Sequence, residues 1–150
     1  MNKQNKITAL DVAKFILSII DVEQGEVISN LKLQKLLYYS QGFTLALYDK
    51  PLFDDKIEAW QYGPVVPNVY DKYQKYGYNN IPPILKDETN IDSESKKVIH
   101  AVYKEYGQFS AFKLVEFTHN ELPWKEASER EDKTISLDTM KKYFKNQINE

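Results

Sequence analysis

The stretch NLKLQKLLYYSQGFTLALY, Asn30–Tyr48, decides the fold. Asn30 is predicted to cap a helix that runs to about Tyr48, with no proline to break it. Wound at helical spacing, Leu33, Leu36, Leu37, Ser40, Thr44 and Leu47 form one stripe, while Lys35, Tyr39, Gly42 and Ala46 form another. Gly42 and Ala46 leave room for a second backbone on that other stripe. A helix with two usable faces has to be packed from both, which places it at the centre of the molecule.

Outward from this helix, the rest of the chain also reads as helical. Thr8 caps a first helix, with Asp11 in the capping-box position and Val12, Phe15, Ile16, Ile19 and Ile20 facing inward, before Gly25. Asp92 or Ser93 caps a helix carrying Val98, Ile99, Val102, Tyr103 and Tyr106, stopped by Gly107. Ser110 opens a shorter helix with Ala111, Leu114, Val115 and Thr118 on one side, and Pro123 suits the first position of another. Ser136 caps a last helix with Leu137, Met140, Tyr143, Phe144 and Gln147 inward. The polar run from Pro82 to Asn90 is a connection, because neither flank is large enough to fold alone. The expected fold is mainly α, a single domain over residues 1–150 with about six to seven helices and one short extended segment or small β element around residues 56–62.

That exception is IEAWQYGPVVPNVY, Ile57–Tyr70. Period-two alternation puts Glu58, Trp60 and Tyr62 on one face of an extended arm. Gly63 precedes proline and so is biased away from the right-handed helical region, and Pro64 or Pro67 opens the next helix. Trp60 and Tyr62 either cover the core or line a binding surface; spacing does not divide the two.

Composition removes whole classes of function. A chain of 150 residues suits one domain that buries about 70% of its unfolded surface. The net charge of −2 provides no global attraction to nucleic acid or anionic lipid. Without cysteine there is no disulfide, thiolate ligand or thiol nucleophile. The start MNKQNKITAL lacks the apolar core of a signal peptide, and no apolar run approaches a membrane span, so a cytoplasmic protein is expected.

Candidate chemistry is sparse. His100 and His119 would both have to converge with carboxylates to hold a metal. Glu94-Ser95-Lys96 with Asp87 upstream has the spacing of some metal-dependent nucleases, without the strand such sites sit on. YDKYQKYGY, Tyr70–Tyr78, interleaves lysines with tyrosines as a base-stacking surface would, but Tyr70, Tyr73 and Tyr76 also make one helical stripe and read as core. No basic recognition helix is present, so nucleic acid is not expected as a partner. No catalytic, cofactor-binding or metal-binding residue is assigned, and an enzyme is not expected.

LKLQKLLYYSQGFTLAL, PLFDDKIEAWQYGPVVPNVYDKYQKYG and THNELPW, in that order, resemble the Panacea domain of bacterial and phage antitoxins, the SocA-like antitoxin family. The resemblance runs from about Ile7 to Phe144, and its most specific parts are KLQKLLYY, EAWQYGPVVP and the TH and PW pairs at Thr118-His119 and Pro123-Trp124. It implies a small protein without cofactor that neutralises a toxin by direct binding, the toxin usually being encoded by an adjacent gene. Members share a scaffold but pair with very different toxins. Carried onto this sequence, the motifs make Gln34, Lys35, Tyr39, Trp60, Tyr62, His119 and Trp124 the partner-binding candidates, some as interface and some as core. The alternative on the same scaffold is a phage-encoded inhibitor of a host defence protein, or an adaptor to a protease.

Overall fold

A helix starts where a side chain replaces the missing partners of its first turn, and four of the predicted starts do this as written. In the computed structural model, which describes residues 6–148, α1 (Ala9–Ile19) has its capping box complete between Thr8 and Asp11. Asp92 caps α4 (Ser93–Tyr106) and Ser110 caps α5 (Ala111–His119). The Ser136 hydroxyl accepts from the Thr139 amide, 3.2 Å, at the start of α7 (Leu137–Ile148). Residues 1–5 of the N-terminal stretch read against a signal peptide lie outside the described residues.

The central helix α2 (Asn30–Tyr48) departs from the expectation at its first turn. Ser29 is the cap, and Asn30 is the first helical residue, with its side chain turned inward to donate to the Tyr70 carbonyl at 3.2 Å. Asn30 thereby serves packing between elements rather than its own helix end. From Leu33 to Gly42 every residue of α2 is buried. Its interior polar groups cross-brace the connections that would otherwise be loose. Gln34 donates to Asn30 Oδ1 at 2.8 Å and accepts the Val66 amide at 2.9 Å. Gln41 accepts the amide of Leu52 at 2.7 Å and donates to the carbonyl of Phe53 at 2.8 Å. Buried amides with both ends satisfied do not carry the desolvation cost of orphaned ones.

The other elements pack around α2. The hairpin is two short antiparallel strands, β1 (Glu58–Trp60) and β2 (Gly63–Val65), in register Glu58 to Val65 and Trp60 to Gly63. The outer side of β1 is covered by backbone bonds from the segment before α7, Ala59 N to Lys133 O at 2.7 Å and Ile135 N to Ile57 O at 2.8 Å. Pro67, not Pro64, opens α3 (Pro67–Tyr73), and Pro123 lies in the first turn of α6 (Leu122–Ser128). Seven α-helices and one small two-stranded sheet among the described residues match the mainly α expectation.

Three readings of facing need correction. Leu47, Leu137 and Gln147, placed inward by periodicity, are exposed because they lie at or near helix ends, beyond the reach of a neighbouring element. Tyr62 is on the hairpin turn, so it does not share a strand face with Glu58 and Trp60. Of the tyrosine stripe, Tyr73 is buried, whereas Tyr70 and Tyr76 are half-buried.

Candidate functional site

Two levels of one site emerge when the partner-binding candidates are placed. Gln34, Lys35 and Tyr39 lie wholly inside α2 and offer a partner no surface in this conformation. Trp60, Tyr62, His119 and Trp124 gather outside them, where the hairpin meets the corner between α5 and α6.

The outer level is fastened by side chains gripping backbone carbonyls of the hairpin. His119 Nε2 is 2.9 Å from the Gln61 carbonyl; a carbonyl only accepts, so that nitrogen carries the proton. The Trp124 indole N–H donates to the Trp60 carbonyl at 2.9 Å, and the His119 and Trp124 rings lie 4.2 Å apart. Trp60 is half-buried, with its N–H on Glu58 Oε1 at 2.9 Å and its ring edge-on to Tyr70. These bonds hold Trp60 and Gln61, the two residues that precede Tyr62. Tyr62 itself projects from the turn, 53% exposed.

The inner level is a buried polar cluster. Glu121, the N-cap of α6, receives the hydroxyl of Tyr38 on one carboxylate oxygen and that of Tyr39 on the other, both at 2.8 Å. Burial pushes Glu121 up to about 7 against the opposing pull of the two hydroxyls, and raises Tyr38 and Tyr39 well above the usual phenol range. Tyr39 also stacks on Tyr106 of α4 at 3.9 Å. Glu121 therefore ties α2 to the corner that grips the hairpin. Sequence reasoning passed over it, although it sits inside the quoted THNELPW motif. An acidic residue between two motif pairs is the signal that could have found it.

Lys35 runs from α2 beneath the hairpin turn, fully buried, with its amine unpaired. Burial pushes that amine down to about 7. Above it is Gly63, at φ +103°, where an added Cβ would come within 2.7 Å of Lys35 Cε and 2.8 Å of Thr118 Oγ1. Only glycine fits that left-handed, crowded position.

The chemistry-bearing alternatives resolve differently. Asp87 and Lys96 do come together, as an ion pair of 2.8 Å at the start of α4, with Thr89 also donating to Asp87. Asp87 is thus occupied by protein groups and is held below the usual carboxylate range by them. His100 packs its ring edge-on to Phe15, apart from His119 on the hairpin. Among the described residues no three His, Cys, Asp or Glu side chains are grouped to hold a metal, and no helix is long and apolar enough to cross a membrane. An open cleft lined by Ile19, Asp21, Glu26, His100, Tyr103 and Lys104 includes none of the partner-binding candidates.

Comparison with known proteins bears on the same segments. The model of the SocA-like antitoxin family, Panacea domain, matches residues 33–125, a span that takes in all but the first three residues of α2, the hairpin, α5 and the PW pair. The antitoxin SocA of Caulobacter vibrioides is 36% identical over 103 residues, covering 61% of this chain and 55% of that protein. The match therefore spans only about half the length of that relative. No solved structure matches the chain significantly.

Proposed function

The chain belongs to the SocA-like antitoxin family, built on the Panacea domain, and from that premise we propose that it neutralises a protein toxin by binding it directly. The observation that carries this reading is Tyr62. It is a large aromatic more than half exposed, on a turn held in place by His119, Trp124 and a glycine that no other residue replaces. An aromatic anchor costs little entropy to bury when its mount is already ordered, and such residues dominate binding energies.

The contact surface comprises Tyr62 and the exposed edges of Trp60, His119 and Trp124, while Gln34, Lys35, Tyr39 and Glu121 form its mount. Neutralisation then works by mass action, and a nanomolar complex requires about 12 kcal/mol. The domain is one unit that extends past the matched span on both sides, since α1 and α7, which lie outside that span, pack on α2. The toxin is encoded by an adjacent gene, both proteins act in the cytoplasm, and the antitoxin catalyses nothing itself.

The test pairs Tyr62→Ala with the product of the neighbouring gene. The variant keeps its melting temperature within about 1–2 °C, as an exposed side chain should, yet loses at least tenfold in binding and fails to rescue growth when both proteins are expressed. Full rescue by folded Tyr62→Ala would remove the turn from the interface.

A further inference from the structure

A buried amine normally has an acceptor or a counter-ion. Lys35 has neither. Its side chain is 0% exposed and its Nζ lacks a hydrogen-bond partner. The polar groups on the surrounding elements are committed elsewhere. Thr118 of α5 donates its hydroxyl to the Val115 carbonyl at 2.9 Å, and His119 holds the Gln61 carbonyl. Glu121 at the start of α6 takes Tyr38 and Tyr39, and on α2 itself Lys32 donates to the Gly107 carbonyl at 2.6 Å. The strand directly above, Gly63-Pro64-Val65, brings no titratable group at all. What closes the site is the hairpin, through the close approach of Gly63 to Lys35 Cε and Thr118 Oγ1.

We propose that the β1–β2 hairpin is a proton-sensitive latch, closed over Lys35 while the amine is neutral and lifted when the amine takes up a proton and reaches water. Lifting separates His119 from the Gln61 carbonyl and Trp124 from the Trp60 carbonyl, so Tyr62 loses its mount. The amine titrates at about 7 when covered and at its ordinary 10.5 when free. Between those limits the open state binds the extra proton, so opening grows about tenfold for each unit by which pH falls, and it levels off below about 7. The consequence for partner binding rests on reading the turn as the toxin contact; the latch itself does not.

Hydrogen exchange of the isolated protein tests it, with rates corrected for the intrinsic effect of pH. Hairpin amides over residues 58–66 open about tenfold more for each unit between about pH 9 and about pH 7.5. They do so while amides of α2 and α7 remain protected. Lys35→Met, of similar length and with no proton to gain, shows no such slope. The Lys35 ¹³Cε resonance of the wild type, followed by NMR, titrates near pH 7 and needs no variant. A flat wild-type profile, a slope retained in Lys35→Met, hairpin amides that exchange only together with α2, or a Lys35 resonance that titrates near pH 10 overturns the latch. With the neighbouring toxin added, affinity should fall from pH 9 to pH 7 in the wild type and not in Lys35→Met. A latch that is mostly open at pH 7 with affinity unchanged from pH 9 would refute the turn as the toxin contact and leave the latch standing.

Discussion

Gly42→Ala puts one methyl group where α2 packs against the Phe144 ring of α7. The added Cβ would meet three ring atoms of Phe144, the most distant of them, Cζ, at 2.8 Å. Ordinary carbon contacts need about 3.5–4.0 Å, so the ring has to retreat by about 1 Å or more. It has nowhere to turn. Phe144 is 1% exposed and lies edge-on to Tyr38 at 5.5 Å, Tyr39 at 5.9 Å and Tyr143 at 5.1 Å, with Phe43 at 4.8 Å. Relief therefore requires α7 to move as a unit. Overpacking of this kind costs about 1–3 kcal/mol, and the rigid aromatic surround puts Gly42→Ala at the upper end. The gain in helix propensity, about 1 kcal/mol, offsets part of it, leaving a net loss of about 2 kcal/mol.

The decisive comparison is with Phe144→Ala, which costs about 3–5 kcal/mol by itself. In that background the clash is gone and only the propensity gain remains, so Gly42→Ala changes sign and stabilises by about 1 kcal/mol. Urea unfolding of the wild type, both single variants and the double variant closes the cycle, with constant m-values as the check on two-state behaviour. A stabilising Gly42→Ala in the wild-type background, or equal costs in both backgrounds, would refute the close packing of α2 on α7.

The remaining expectations concern charge. Glu121 has a folded pKa raised from 4.5 to about 7, so its contribution to stability is fully present below about pH 4.5 and is lost as pH rises through about 7. That contribution amounts to about 3 kcal/mol; denaturant midpoints between pH 4.5 and 7.5 should show it, Glu121→Gln should flatten it, and an unchanged pH profile in the variant would exclude the buried carboxylate. Because Lys96 pairs with Asp87 at 2.8 Å, the purified protein is expected to cleave neither nucleic acid nor ester with divalent metal present. Cleavage that disappears in folded Lys96→Ala would overturn the non-enzymatic reading.

What could be read in advance follows from where the information is local. Thr8 with Asp11, Asp92 and Ser110 cap as predicted because a helix start is decided within four residues of chain. Facing was legible in the middle of helices and failed at their ends. Leu137 and Leu47 keep the right period but extend past the elements that would cover them, and period alone does not report where a neighbour stops. Asn30 was read as a cap because asparagine favours that position, yet the Tyr70 carbonyl, 40 residues away in sequence, claims its side chain. The hairpin shows the same limit. The alternation over residues 58–62 implied one extended arm, but Gly63 at φ +103° turns the chain back and leaves Tyr62 on the bend.

The division of the site candidates into mount and contact was not legible, because it depends on burial at atomic scale. Gln34, Lys35 and Tyr39 are polar or amphipathic and stand within a motif that resembles a binding family, so as sequence they read equally as interface or as core. In the folded chain they are the interior supports of a hairpin, with Glu121 closing the cluster from the opposite side. The residues that make the resemblance specific are thus largely those that hold the turn, and the turn exposes one aromatic. If the turn is the toxin contact, this arrangement suits a scaffold whose relatives, as the family resemblance implies, pair with unlike toxins. The support has many mutually dependent partners, so a change in Gln34, Gly63 or Glu121 would disturb several contacts at once. Tyr62 has no hydrogen bond to lose among the described residues. The tip can therefore change its side chain to suit a new partner without refolding the mount beneath it.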